Sequence, residues 1–458
     1  MLALWGATTR YGLWRRLWLA LAESQQALGI DIPEAALVAM RTHLDDIDFD
    51  SVAEYERRFR HDVMAHIHAF GDVAPEARKF LHLGATSCYV TDNADLILMR
   101  RGLALLRDKL LDALAALDTF ARAWKDVPTL GYTHLQPAQL TTVGKRATLW
   151  MQDILLDLED LESRVTRLPF RGVKGTTGTQ ASFLTLFDGD HARVRELDRL
   201  VTARMGFSAS IPVSGQTYTR KVDAQVLDVV AGIAATASKL SGDIRMLQAF
   251  GELEEPFESQ QIGSSAMAYK RNPMRSERIA SLARFVLSLE PNANQTHAVQ
   301  YLERTLDDSA NRRLVIPEAF LATDAILVLV HNVVSGLEVH PARIRRRVDD
   351  ELPFMATEEL IVRFVRAGGD RQEAHELIRG HSIAAARAVK DGAVHNDMLQ
   401  RLAADPAFGI PLEDIRAAAD PRRFVGRAPE QVLEFCAEHV APWLARERVS
   451  PEVDELRV

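Results

Sequence analysis

From Asp92 to Trp124 the large apolar residues fall at Leu96, Met99, Leu103, Leu106, Leu110, Leu114, Leu117 and Trp124. Steps of three and four repeat along most of this run, which marks one face of a helix. Such a helix would be about 30 residues long, on the order of 45 Å at 1.5 Å per residue. Asp92 or Asn93 is placed to cap its start, and Pro128 lies just past its end. A second run, Val222 to Leu247, repeats the pattern through Val226, Val229, Ile233, Ala237, Leu240 and Ile244. Gln300 to Leu337 reads as a third, which Pro317 is expected to bend or break. Helices this long cannot bury their apolar stripes alone, so they call for a bundle, shared between subunits. No βαβ alternation and no internal repeat is visible, and the expected fold class is all-α.

The breaks in periodicity suggest three units. Shorter helices over residues 1–86 end near Gly84-Ala85-Thr86, and the long-helix bundle occupies 87–339. Short helices punctuated by Pro and Gly fill 340–458, with LPFMATEE, RAGGDRQEAHE and PRRFVGR among them.

Composition narrows the function classes. Hydrophobic residues make up 47% and charged residues 26%, the balance of a soluble globular chain. A net charge of −8 does not advertise nucleic-acid binding. Attraction for an anionic ligand has to come from local clusters such as Lys270-Arg271 or Arg312-Arg313. Two cysteines, Cys88 and Cys436, exclude a disulfide framework and a Cys-based zinc site, and suit a reducing cytoplasm. No run approaching 18 apolar residues is evident, so no membrane span is expected. RRLWLALAE near the start superficially resembles a signal peptide, but Glu23 interrupts its apolar patch, and an amphipathic first helix is the better reading.

Four polar islands interrupt the periodic stretches. The first holds Arg60, His61 and Asp62, followed by His66 and His68. These histidines lack the i, i+4 pairing of a helical zinc site and HExxH is absent, so no metal is expected. The second, HLGATSCYVTDN, sets Thr86 and Ser87 where a helix N-terminus would carry partial positive charge. Hydroxyls there can bind a carboxylate or simply form a loop and cap. The third, PTLGYTHLQPAQLTTVGKR, places Thr133 and His134 among hydroxyl and amide residues. A histidine there can donate a proton near neutral pH. The fourth, FRGVKGTTGTQASF, fits neither a dinucleotide fingerprint nor a P-loop.

A further stretch, QIGSSAMAYKRNPMRSE from Gln261 to Glu277, has no hydrophobic period at all. Its composition alone suits a solvated linker. Gly263 and the paired serines also offer flexibility with hydroxyls, and Lys270 a positive charge. A serine becomes a base only if its oxyanion meets preorganised amides and a cation in a closed site, which a mobile loop can supply.

Together these segments resemble the signature regions of the fumarase/aspartase superfamily. GSSAMAYKRNP is similar to its GSSxMPxKxNP signature and TLGYTHLQPAQ to its histidine region. RHDVMAH, LTTVGKR, RGVKGTTGTQASF, SGQTYTRKVD, ERTLDDSANRR and LPFMATE resemble the adenylosuccinate lyase family within it, particularly the branch with the animal enzymes. The resemblance covers nearly the whole chain from about Tyr11. It implies β-elimination of fumarate from adenylosuccinate (giving AMP) and from SAICAR (giving AICAR) in purine biosynthesis, without metal or organic cofactor. It also implies a homotetramer whose active sites draw on three subunits.

Position by position, the resemblance makes Ser264 the general base and His134 the general acid. His61 becomes a second, substrate-orienting histidine within Arg60-His61-Asp62. Lys270 and Asn272 would face the succinyl carboxylates. Thr86, Ser87, Thr133 and Gln216 would contact substrate, with Arg278 near it. Arg304, Ser309 and Arg313 would hold the nucleotide end, where guanidinium forks suit phosphate.

Two departures matter. Ala268 stands where the family signature has proline. An Arg-Tyr pair that touches the nucleotide phosphate in family members has no counterpart, and Arg10-Tyr11 lies downstream of its position. Either the start is truncated or phosphate binding rests on Arg304, Ser309 and Arg313. The rivals are another superfamily lyase, of the argininosuccinate lyase or fumarase type, and a catalytically impaired paralog kept for assembly.

Overall fold

The computed structural model describes residues 1–258 and 260–448. The elements that position the site are α1 (Ala7–Ala27), α2 (Phe49–Phe59), α3 (Asp62–Val73) and α4 (Ser87–Ala123). A hairpin follows, β1 (Pro128–Thr133) and β2 (Gln136–Thr142), then α5 (Val143–Arg167) and α6 (Lys221–Ala249). Beyond them lie β3 (Leu253–Glu254), α7 (Met274–Ala298), α8 (Asp307–Ser335), β4 (Glu338–Val339) and α9 (Pro341–Met355). The architecture is all-α, with only two small two-stranded pairings among the described residues, β1–β2 and β3–β4.

The apolar stripes read from the sequence line the bundle core. Leu96, Met99, Leu103, Leu106, Leu110, Leu114 and Leu117 of α4 are all buried, with Val226, Ile233, Leu240 and Ile244 of α6 facing the same cluster. Burying each such side chain contributes on the order of 1.5–3 kcal/mol. Gly102 lets α4 approach α8 closely, because a Cβ there would sit 2.7 Å from the Phe320 ring.

The first long helix differs from its expected start. It begins at Ser87, and neither Asp92 nor Asn93 caps it; both are buried inside the helix. Asn93 instead donates to Gly172 O (3.1 Å) and accepts from Gly172 N (3.1 Å), pinning the RGVKG segment. The third helix starts at Asp307 rather than near Gln300 and runs through Pro317 without interruption. Proline costs that helix one donor, while Val315, Ile316, Ala319 and Phe320 around it are buried in the bundle. This helix also amends the expectation of no membrane-length apolar segment, since α8 is long and apolar enough to pass that test. Its apolar residues lie in the core against α4, α6 and α7, the pattern of an internal bundle helix.

A second core joins Leu13, Trp14, Leu17 and Trp18 of α1 to Tyr89, Ile97 and Leu98 of α4 and to Phe170 and Phe207, drawing on both sides of residue 86. A third gathers Leu360, Phe364, Ile378, Met398 and Ile415, whereas Val432, Cys436 and Val440 rejoin the bundle.

Polar contacts give the bundle its direction. The starts of α4, α6 and α8 meet at one end, where Arg220 bonds Asp92 (3.2 Å) and Asp308 (2.7 Å). The far end holds the β1–β2 hairpin, whose Thr129 Oγ1 donates to Glu252 at 3.3 Å, and the 255–273 segment that follows Glu252 and β3. Along α4, 37 residues long, the two ends stand about 55 Å apart.

Candidate active site

A cavity of about 810 Å³ opens where the starts of α4 and α8 meet α1 and the α2–α3 junction. Of the residues expected at the site, it brings together Arg60, His61, Asp62, Thr86, Ser87, Gln216, Arg304, Ser309 and Arg313. Each is placed by local structure. Arg60 ends α2 in a left-handed conformation (φ +54°), which turns the chain sharply so that His61 can cap α3. His61 Nδ1 accepts the Met64 amide at 3.3 Å, which assigns the ring proton to Nε2, 3.4 Å from Ser87 Oγ. Asp62 accepts from Arg313 at 3.0 Å, linking α3 to α8. Thr86 precedes α4 without a side-chain bond to its first amides, and although Tyr89 N donates to Thr86 O (2.8 Å), those of Ser87 and Cys88 have no bond among the described residues at the positive end of a 37-residue helix. Gln216 is fixed through its backbone, donating to Glu303 O (3.0 Å) and accepting from buried Arg171 (2.9 Å).

Of the cavity floor, the sequence reading singled out only Arg312, as half of the Arg312-Arg313 cluster, and not the carboxylates that neutralise it. Arg220 sits between Asp92 and Asp308, and Arg312 bonds Asp223 (2.6 Å), Asp95 (3.0 Å) and the Tyr218 hydroxyl (2.6 Å). Burial pushes Asp92 up, but Arg220, Arg312 and Arg171 outweigh it and hold its pKa below the ordinary value. The signal was present in SGQTYTRKVD and ERTLDDSANRR, where arginines and aspartates recur without an apolar stripe.

The remaining expected residues lie at the far end of the bundle. Thr133 and His134 are exposed on the hairpin, which had been read only as a polar island. Thr133 pairs with Gln136 across a two-residue turn in which His134 (φ +53°) and Leu135 (φ +58°) are both left-handed. Two consecutive non-glycine residues there cost on the order of 1–3 kcal/mol each, and such strain collects at functional positions. Ser264, Lys270 and Asn272 lie on the 255–273 segment, and Arg278 is in the first turns of α7.

That segment is organised rather than featureless. Ser264 Oγ accepts the amides of Ala266 (3.3 Å) and Met267 (3.1 Å). Asn272 donates to Gly263 O at 2.7 Å and closes the loop, and Gly263 is required there because a Cβ would fall 2.0 Å from Lys270 O. Glu255 accepts the amides of Arg275 and Ser276, each at 2.9 Å, and so anchors the start of α7. Residues 265–270 project into solvent beyond these anchors. A group of possible metal donors, Glu254, Glu338 and His340, stands nearby, but Arg271 already bonds both carboxylates (3.3 and 3.2 Å).

Ala268 is the second residue of a turn closed by Lys270 N donating to Met267 O at 3.0 Å. That position favours proline, and no described bond uses the Ala268 amide. Ala268→Pro should therefore fit the turn and reduce the entropy lost on ordering the loop, by about 0.4–1 kcal/mol. The expected result is a two- to fivefold rise in kcat, roughly the same energy expressed as a rate. Slower steady-state turnover in the proline variant would contradict it.

A family model described as lyase matches residues 32–287, and one described as adenylosuccinate lyase C-terminus matches residues 353–435. The chain is 51% identical over 439 residues to the adenylosuccinate lyase of Schizosaccharomyces pombe, covering 95% of this chain and 91% of that one. It is 50% identical over 444 residues to the adenylosuccinate lyase of Saccharomyces cerevisiae, covering 96% and 92%. Among solved structures, a fumarate lyase from Mesorhizobium sp. BNC1 matches with a TM-score of 0.80 at 24% identity, covering 95% of this chain and 97% of that one. A 3-carboxy-cis,cis-muconate lactonizing enzyme from Pseudomonas putida matches with a TM-score of 0.82 at 21% identity, covering 97% of both, a likeness of fold.

Proposed function

The chain belongs to the adenylosuccinate lyase family, and from that premise we propose that it releases fumarate from adenylosuccinate and from SAICAR. A proton leaves the succinyl β-carbon for the Ser264 oxygen. The electron pair delocalises into the neighbouring carboxylate, and Lys270 and Asn272 meet that charge. The C–N bond then breaks, and His134 supplies the proton that the departing nitrogen needs. Fumarate and AMP, or fumarate and AICAR, are the products. His61 orients the succinyl group beside Thr86 and Ser87, while Arg304, Ser309 and Arg313 hold the phosphate end.

One observation carries the assignment of roles. Ser264 Oγ already accepts two backbone amides on a loop that also bears Lys270, the surroundings an alkoxide base needs.

We further propose a cytoplasmic homotetramer with shared active sites. The support is the separation of about 55 Å between the cavity and the end bearing Ser264 and His134, which leaves one chain unable to bring them to one substrate. Two unpaired cysteines, Cys88 and Cys436, suit the compartment. The three-unit division at residues 86 and 339 belongs to the same reading.

The test is fumarate release from adenylosuccinate, SAICAR and argininosuccinate with no added metal. Cleavage of the first two and not the third is expected. Mixing refolded Ser264→Ala chains with His61→Ala chains should restore activity that neither has alone. Mixtures as inactive as their components would sink the shared site.

A further inference from the structure

Beyond Gly131 the ladder of the β1–β2 hairpin weakens. Its register shifts between Leu130 and Tyr132, and Tyr132 then pairs with Pro137, which has no amide to donate. The strands approach so closely at Gly131 that a Cβ there would fall 2.7 Å from Gln139 O. Thr133 to Pro137 are exposed. Among the described residues, Tyr132 is the one side chain of this tip with a bond to another element.

Tyr132 is clamped. Its hydroxyl accepts from Arg347 Nη2 of α9 at 2.8 Å, and its ring packs on Phe250, with centroids 5.5 Å and planes 31° apart. The Arg347 guanidinium lies over the same Phe250 ring, 4.4 Å from its centroid, and its Nε stands 2.7 Å from Glu252 Oε1. Glu252 is about 1% exposed and accepts Thr129 Oγ1 at 3.3 Å, while its carbonyl accepts the His340 amide at the start of α9 at 3.0 Å. Arg146 of α5, 4.0 Å from the same carboxylate, donates to Leu130 O. The root of the hairpin is thus tied down through Thr129 and Leu130. Its tip is tied through a phenol that one guanidinium holds.

We propose that Arg347 is a positioning residue for the proton transfer, clamping Tyr132 so that the hairpin tip presents His134 in a fixed direction. This rests on the reading of His134 as the acid. A tip that reaches into another subunit's cavity takes its direction from its own chain. His134 lies two positions beyond Tyr132, so a tilt at the phenol is passed on to the imidazole. A displacement of about 1 Å at a reacting group can cost about 10²-fold in rate.

The test measures fumarate release from adenylosuccinate in single variants and in doubles with His134→Gln. Tyr132→Phe removes the bond to Arg347 and leaves the ring on Phe250. It should lower kcat about 3- to 10-fold, the rate equivalent of one hydrogen bond, with KM within about twofold and an unchanged melting temperature. Arg347→Met should lower kcat about 10- to 50-fold, and Arg347→Lys should fall between it and the parent, because an ammonium can pair with Glu252 but has no second arm for Tyr132. Tyr132→Phe leaves Glu252 paired, which separates positioning from any loss of stability in Arg347→Met. Arg346→Met, exposed one position back in α9, should match the parent.

In the His134→Gln background, Tyr132→Phe and Arg347→Met should each change kcat by less than about twofold, because the group they position is gone. A clamp that only stabilises the fold would lower kcat equally in both backgrounds. That result, or parent-like kcat in Tyr132→Phe, would overturn the proposal and leave the acid assignment standing. A parent-like His134→Gln would reject the acid assignment and the proposal with it. Hydrogen exchange over residues 128–142 reads the clamp without turnover. Exchange at the tip should be about tenfold faster in Tyr132→Phe and Arg347→Met, and parent-like protection in both would overturn the proposal even in a chain that releases no fumarate.

Discussion

Ser264→Ala is expected to lower kcat by about 10³-fold, within the range that positioned acid–base groups contribute, while KM changes only a few-fold. The side chain does two things in the structure. It accepts the Ala266 and Met267 amides, and through them the loop can hold an alkoxide whose charge would otherwise be prohibitive. Alanine removes the proposed base outright. The two amides it leaves unpaired belong to exposed residues, so water replaces the bond and the fold should be undisturbed. Steady-state fumarate release beside a thermal melt separates these effects. Parent-like turnover in the alanine variant would remove Ser264 from the chemistry.

Arg220→Met carries the second large effect, on stability. Arg220 and Asp92 are each about 2% exposed, and Asp308 is 5% exposed. Burial and Arg312 push Arg220 down, but Asp92, Tyr218 and Asp223 outweigh them and its pKa lies above its ordinary value. Removing one partner of such a group leaves carboxylates buried without their main counter-charge, at a cost of about 3–5 kcal/mol. The sign of the pH dependence follows from Asp92. Its folded pKa is held below the unfolded one, so its contribution is present above the unfolded value and disappears as pH falls through the folded one. The deficit of the variant should therefore be largest at neutral pH and shrink toward acid. Urea unfolding of both proteins at pH 7 and at a pH below the ordinary aspartate value of 3.8 measures it. A parent-like free energy at pH 7 would show that the network does not hold the three helix starts together.

Much of the fold was legible because it is written in local periodicity. The stripe from Leu96 to Leu117 and that from Val226 to Ile244 each specify a helix whatever lies opposite, and both helices form with those faces buried. Asp92 shows where such reading stops. An aspartate at the edge of an apolar run looks like a cap, yet it is the counter-charge of Arg220, 128 positions away. The hairpin escaped for a related reason: His134-Leu135 has none of the glycine or asparagine that marks a two-residue turn, so strain sits where a sequence signal would have been. Site motifs were visible as resemblances, but Arg10-Tyr11 was set aside by its position in an alignment. Only the packing of α1 beside α3 and α4 brings it to the cavity.

By itself, the sequence determined the long amphipathic helices, the polar islands between them and the residue types the chemistry requires. Those depend on neighbours three or four positions apart. Tertiary structure alone decided which islands share a cavity, which arginines are already neutralised and which end of the bundle each group occupies. Such pairings join residues far apart in the chain, and a helix about 55 Å long can carry two islands to opposite ends as readily as together.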